Sequence, residues 1–170
     1  MDVTLTAEDR LQIQDTVARY AWALDTGDVE SFVTCFCRDG TLTWDAFDTP
    51  DVWQGPTQLR QFASFLRDQP ATAGRQHHVS NLRIFAEGGV IRACSYVAVA
   101  LRSGEGPHLL TVMGYYEDVF DREGDAWRLK SRVIRDWSGP ILHRIAGQTG
   151  ERVARARPPA LAALTEDRAK

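Results

Sequence analysis

Apolar residues recur at Ile13, Val17, Tyr20, Ala21 and Leu24, a spacing that places them on one face of a helix. Thr6 can cap this helix, with Glu8 and Asp9 in its first turn in the manner of a capping box. The corner Asp25-Thr-Gly-Asp28 stops it: Gly27 can take the left-handed conformation, and Asp28 can cap a second helix predicted over 29–36. Val29, Phe32, Val33 and Phe36 share a face of that helix, and Arg38-Asp-Gly40 is expected to close it. Residues 41–47 alternate well enough for a first strand, and Asp48-Thr-Pro-Asp51 reads as a loop. Gly55-Pro56 opens a third helix with Leu59, Phe62, Ala63 and Leu66 on its buried face, ending before Pro70.

From Gln76 onward the period changes to two. Strands are predicted at about 76–86, 90–101, 108–121 and 126–136, separated by Gly-containing turns, which makes an antiparallel meander. A sheet of that length buries its inner face by curling around the three helices, leaving a pocket where the first helix and the sheet diverge. The expected fold is therefore an α+β cone spanning 1–141. Residues 142–170 form a C-terminal extension of helical composition but weak amphipathicity, and its last dozen residues are expected to be poorly ordered or bound to a partner subunit.

Composition narrows the setting. A chain of 170 residues with 44% hydrophobic and 25% charged residues suits one globular domain. A net charge of -3 and a pI near 5.8 provide no field to attract nucleic acid. No apolar run approaches the ~20 residues that span a bilayer, and the amino terminus lacks the pattern of a signal peptide, so a cytoplasmic protein without membrane contact is expected. Cys35, Cys37 and Cys94 lack zinc-like spacing and read as reduced packing residues. Leu82, Ile84, Val97 and Val99 are expected to leave apolar area on the outer sheet face, pointing to a homodimer or homotrimer.

Chemistry concentrates in Gln76-His-His-Val-Ser-Asn81. In a strand, His77, Val79 and Asn81 share one face and His78 the other, so only one imidazole can look inward. Facing a hollow, and with a carboxylate brought up from elsewhere, such a ring is a general base. Asp25, an acidic side chain in a last helical turn, faces the negative end of the helix dipole, so it is expected to be either solvated or paired with a cation or imidazolium. Neighbouring strand histidines point apart, so no metal site is expected and no cofactor is implied. Tyr20, Tyr96 and Tyr116 are candidate donors to a carbonyl or enolate oxygen, and Trp22, Trp44, Phe47, Trp53 and Met113 candidate apolar wall for a hydrophobic small molecule.

These features together resemble the SnoaL-like group of the nuclear-transport-factor-2-like fold. The residues that carry the resemblance are Ile13-Gln-Asp15 with Tyr20, the Leu24 to Asp28 corner, Gln76 to Arg83 and Gly124-Asp-Ala-Trp-Arg-Leu129. The group includes scytalone dehydratase, hexachlorocyclohexane dehydrochlorinase, polyketide cyclases and dioxygenase small subunits. The resemblance implies that Asp25 and His77 form a catalytic pair, with Asn81 four residues beyond the histidine. It also places Tyr20 where the dehydrochlorinase has a lysine, Arg132 where that enzyme has an arginine, and Tyr116 where scytalone dehydratase has a cavity asparagine. The activity implied is a cofactor-independent dehydratase, cyclase or isomerase acting on a cyclic or polyketide-like compound. A noncatalytic dioxygenase-type subunit or a ligand-binding accessory protein is the alternative.

Overall fold

The structure is a computed structural model that describes residues 4–102, 104–147 and 149–167. Helix α1 (Ala7–Thr26) starts at the predicted cap: the Thr6 hydroxyl accepts from the Asp9 N–H at 3.1 Å, and Asp9 accepts from the Thr6 N–H at 2.9 Å. Asp9 has a second role, since its other oxygen accepts from Trp127 Nε1 at 2.8 Å and from Arg122 at 3.0 Å, tying the start of α1 to the far hairpin. The Trp127 and Thr6 hydrogen bonds hold its carboxyl down to about 2. A depressed aspartate contributes stability above its unfolded pKa and loses it as the pH falls toward its folded one. Asp9→Asn is therefore expected to lower the melting temperature at neutral pH and to flatten its fall between about pH 4 and pH 2, the span from the ordinary aspartate value downward. Melting curves in acid that are parallel for parent and variant would contradict this.

Helix α2 (Val29–Thr34), capped by Asp28, is shorter than expected. The chain enters strand β1 (Phe36–Asp45) at once, so Arg38-Asp-Gly40 lies within a strand and does not close a helix. Gly40 explains the difference: a Cβ there would sit 2.8 Å from the Leu129 carbonyl oxygen, so glycine allows β1 to press against strand β6 (Ala126–Asp136) at an irregular register. The segment expected as a loop supplies a short edge strand, β2 (Asp51–Gln54), because Trp53 is fully buried and its ring packs 4.6 Å from Phe62. Helix α3 (Gly55–Asp68) has Pro56 in its first turn and buries the four apolar positions predicted for it.

Strands β3 (Gln76–Glu87), β4 (Val90–Arg102), β5 (His108–Glu123) and β6 form the predicted antiparallel meander. The six-stranded sheet has the order β2-β1-β6-β5-β4-β3. Its β1–β6 pairing is parallel, so the curved sheet is mixed and not antiparallel throughout. This parallel pair leaves β3 and β2 as the two edges, and the helices lie in the trough between them.

A register shift in β3 between Ser80 and Arg83, with Asn81 at φ 53, reverses the alternation expected past His77. Asn81 turns outward and is exposed, while Leu82 and Ile84 pack against the core. Val97 and Val99 also face inward. The four side chains that suggested an oligomer thus belong to the interior, and exposed large apolar groups on the outer face are instead Tyr96, Leu110 and Met113.

The C-terminal extension packs on its own chain. Residues 151–158 run as an extended strap whose Arg155 N–H donates to the Ala46 carbonyl at 2.7 Å. Helix α4 (Pro159–Asp167) buries Leu161 in the core, with Leu164 packed against it. Residues 168–170 of the stretch expected to be poorly ordered or partner-bound lie outside the described residues. No helix among the described residues is long and apolar enough to cross a membrane.

Candidate active site

A cavity of about 240 Å³ opens where α1, α3 and the inner face of the sheet diverge. It approaches the roughly 300–1,000 Å³ typical of drug-sized ligand sites and suits a molecule of one or two rings. Its wall is largely apolar, with Leu24, Phe62, Val97, Val112 and Ile134 among its residues, and His77 and Tyr20 are polar residues on it.

Asp25 and His77 come together at this wall. The Asp25 Oδ1 lies 2.5 Å from His77 Nδ1, and its Oδ2 accepts from the His77 backbone N–H at 2.8 Å. The carboxylate thus grips both the ring and the strand that bears it. Because an ionised carboxylate can only accept, this contact places a proton on Nδ1 and leaves the Nε2 lone pair free. Both side chains are mostly sheltered, 11% exposed for His77 and 19% for Asp25. His78 is exposed on the other face, as the alternation demands.

The pattern along the chain explains why Asp25 can sit there. Gly27 at φ 74 ends α1 one residue after Thr26, so Asp25 occupies the last turn, close to the start of β3. The dipole cost of that position is offset by Arg75, which the sequence did not single out. Its buried guanidinium donates to the Leu24 carbonyl at 2.8 Å and to the Leu66 carbonyl at 2.7 Å, capping the ends of α1 and α3 together. Burial lowers the Arg75 pKa, and the nearby Asp25 charge opposes that shift. An arginine two residues before a strand histidine carries no periodic signal, and only the meeting of two helix ends reveals its role.

Tyr20, Tyr116 and Arg132 form a stack behind the cavity. The Arg132 guanidinium lies 4.0 Å from the Tyr20 ring centre and 4.2 Å from that of Tyr116, and it is bonded to Asp118 at 2.8 and 2.7 Å. Burial by itself would depress Arg132, but Asp118 and the two phenols raise it above the ordinary arginine value. Arg132 does not line the cavity; it packs in the corner formed by the faces of the two rings, which meet each other edge to face at 5.9 Å, and it can influence the cavity only through them. The Tyr20 hydroxyl is buried beside the Arg132 guanidinium, which interacts with its oxygen and leaves its proton without an acceptor. Burial raises both phenols, against the opposing pull of Arg132, so each remains a neutral donor.

The other sequence candidates separate by parity. Trp44 and Phe47 line the cavity, and Trp53 is core. Tyr96 and Met113 lie on the outer face, 44% and 59% exposed, because they alternate with Val97 and Val112, which point in. Asn81 is removed from the site by the bulge, and Trp22 is 74% exposed on the outside of α1. Among the described residues no cluster of three His, Cys, Asp or Glu side chains could hold a metal ion.

The chain matches the SnoaL-like domain model over residues 5–133. No curated protein matches it in sequence. Among solved structures, a cystatin-like-fold protein of unknown function from Nostoc punctiforme is 28% identical, with 82% of this chain and 100% of that one covered and a TM-score of 0.68. A variant of Rv3472, a protein of unknown function from Mycobacterium tuberculosis, is 24% identical over 94% of this chain and 85% of that one, with a TM-score of 0.66. A candidate dehydratase from Streptomyces avermitilis, described as nuclear-transport-factor-2-like, is 14% identical over 76% of this chain and 96% of that one, with a TM-score of 0.62. With most of the chain, sheet and first three helices included, inside the family match, the protein belongs to the SnoaL-like family of the nuclear-transport-factor-2-like fold.

Proposed function

We propose that this protein is a cofactor-independent lyase or isomerase that removes a proton from carbon next to a carbonyl in a hydrophobic cyclic or polyketide-like compound. The observation that carries the reading is the imidazole on the wall of an apolar cavity, with Nδ1 held by a carboxylate and Nε2 free. Nε2 takes the proton, and the C–H electron pair moves onto the carbonyl oxygen as an enolate. Asp25 stabilises the imidazolium so formed and keeps the ring in the right tautomer. The Tyr20 hydroxyl, a neutral donor whose proton has no acceptor, serves the enolate oxygen. Return of the proton at another carbon completes an isomerisation, and expulsion of a β-hydroxyl with that proton completes a dehydration.

The first step can be tested without knowing the substrate. In D2O the protein should exchange the α-hydrogens of small cyclic ketones such as α-tetralone faster than buffer does, followed by proton NMR. His78→Ala, altered on the opposite face of the strand, should exchange at the parent's rate. A panel of cyclic ketones showing no exchange above that of His77→Ala protein would overturn the reading in favour of a noncatalytic ligand-binding or accessory subunit.

A further inference from the structure

The last wall of the cavity is built by Arg155, Ala156 and Pro158, which lie beyond the family match at residues 5–133. This wall is tied down on both sides. Arg152 donates to Asp45 at 2.6 Å, the Arg155 N–H is held by the Ala46 carbonyl, and Arg157 donates to the Thr49 carbonyl at 2.7 Å. Leu161 then pins the following helix in the core. Arg155 is therefore presented to the cavity by a fixed backbone.

Its guanidinium is held by charge more than by hydrogen bonds. Nε lies 2.6 Å from Asp136, and neither Nε nor Nη2, both buried atoms of a side chain that is about one-third exposed, has a partner in hydrogen-bond geometry. Trp44, two residues before the Ala46 that anchors the strap, also lines the cavity, and its Nε1 is likewise buried and unpartnered. Buried donors are almost always satisfied in finished folds, so two on one wall of a cavity mark where a ligand acceptor belongs. Asp136 already offsets the arginine charge, which suits a neutral oxygen better than a carboxylate.

This wall is remote from the base. Asp136 is on β6 and His77 on β3, with β5 and β4 between them, about 14 Å measured along the sheet at the usual strand spacing. One ligand oxygen cannot serve both ends. We infer that Arg155, assisted by Trp44, binds a second oxygen of the substrate, so that the substrate is a ring ketone or polyketide-like compound with a further carbonyl, hydroxyl or ether oxygen at its far end. The inference rests on the acid–base reading for the identity of the reacting end. Arg155 is then a specificity residue: it sets which compounds are held in front of His77 and takes no part in proton transfer.

The test uses the full chain and titration calorimetry with two ligands, α-tetralone and its methoxy derivative substituted on the aromatic ring across from the carbonyl. The parent should bind the methoxy ketone about tenfold more tightly, the gain expected of one hydrogen bond from a charged donor. Arg155→Met should bring the two affinities to within about twofold of each other, and Arg155→Lys should keep part of the preference. A variant whose strap is merely loosened would weaken both ligands and leave their ratio unchanged. Equal affinities in the parent, no binding of the methoxy ketone, or a ratio preserved in Arg155→Met would each overturn the assignment. Should His77-dependent exchange persist in that case, only the second oxygen falls; a preserved Arg155 effect without any exchange removes the acid–base reading and leaves the oxygen site.

Discussion

Replacing His77 with alanine is expected to slow α-hydrogen exchange by about 10²–10⁴-fold, the range that a positioned general base supplies. The loss should appear in the rate at saturation and leave ketone affinity nearly unchanged, because the ring meets the substrate only at one wall of a mostly apolar cavity. Asp25→Asn should be nearly as damaging. An asparagine can still meet the His77 backbone N–H and the ring, but its amide lacks the charge that stabilises an imidazolium, and it can turn its NH2 toward Nδ1 and so move the ring proton to Nε2. His77→Gln provides a control of similar size that keeps a polar group at the wall without a basic nitrogen. Melting temperatures within a few degrees of the parent, together with intact tetralone binding, would assign the loss to chemistry. Exchange by His77→Ala at the parent's rate would remove the base from His77.

How far the sequence anticipates this site depends on whether a position is governed by local periodicity or by tertiary contact. The two ends of the pair are local: Gly27 fixes where α1 stops, and strand alternation turns His77 inward while His78 stays out. Parity also had the information to exclude Tyr96 and Met113. They alternate with Val97 and Val112, and a face assignment made strand by strand places them outside. Asn81 differs, because the bulge beneath it breaks the count of two, and neither Ser80 nor Arg83 announces a bulge in advance. Arg75, Asp118 and Arg155 depend on partners about 9 to 50 residues or more away in the chain or on a cavity wall, and no period in the sequence records such meetings. The parallel β1–β6 pair is of the same kind, since it joins the first strand to the last.

Asp118→Ala is expected to be the most destabilising single change at the site. The Arg132–Asp118 pair has no exposed side-chain surface, and removal of the carboxylate leaves a buried guanidinium whose remaining neighbours are two phenol faces. Breaking such a pair from one side costs about 3–5 kcal/mol, which for a chain of this size lowers the melting temperature by roughly 6–20 °C. The double variant Asp118→Leu/Arg132→Met removes both charges and should recover most of that loss, because apolar side chains of similar bulk replace buried ion pairs at little cost. Recovered stability should not bring recovered exchange. Without the cation that lies 4.0 and 4.2 Å from their faces, Tyr20 and Tyr116 keep only their edge-to-face contact with each other, and the Tyr20 donor is no longer held for the enolate. A double variant that melts like the parent and exchanges α-tetralone about tenfold more slowly would separate the two effects, on the scale of one misplaced donor at about 1.4 kcal/mol per factor of ten. A single variant melting within about 2 °C of the parent, or a double variant exchanging at the parent's rate, would show that the stack is ordinary core packing with no hold on the site.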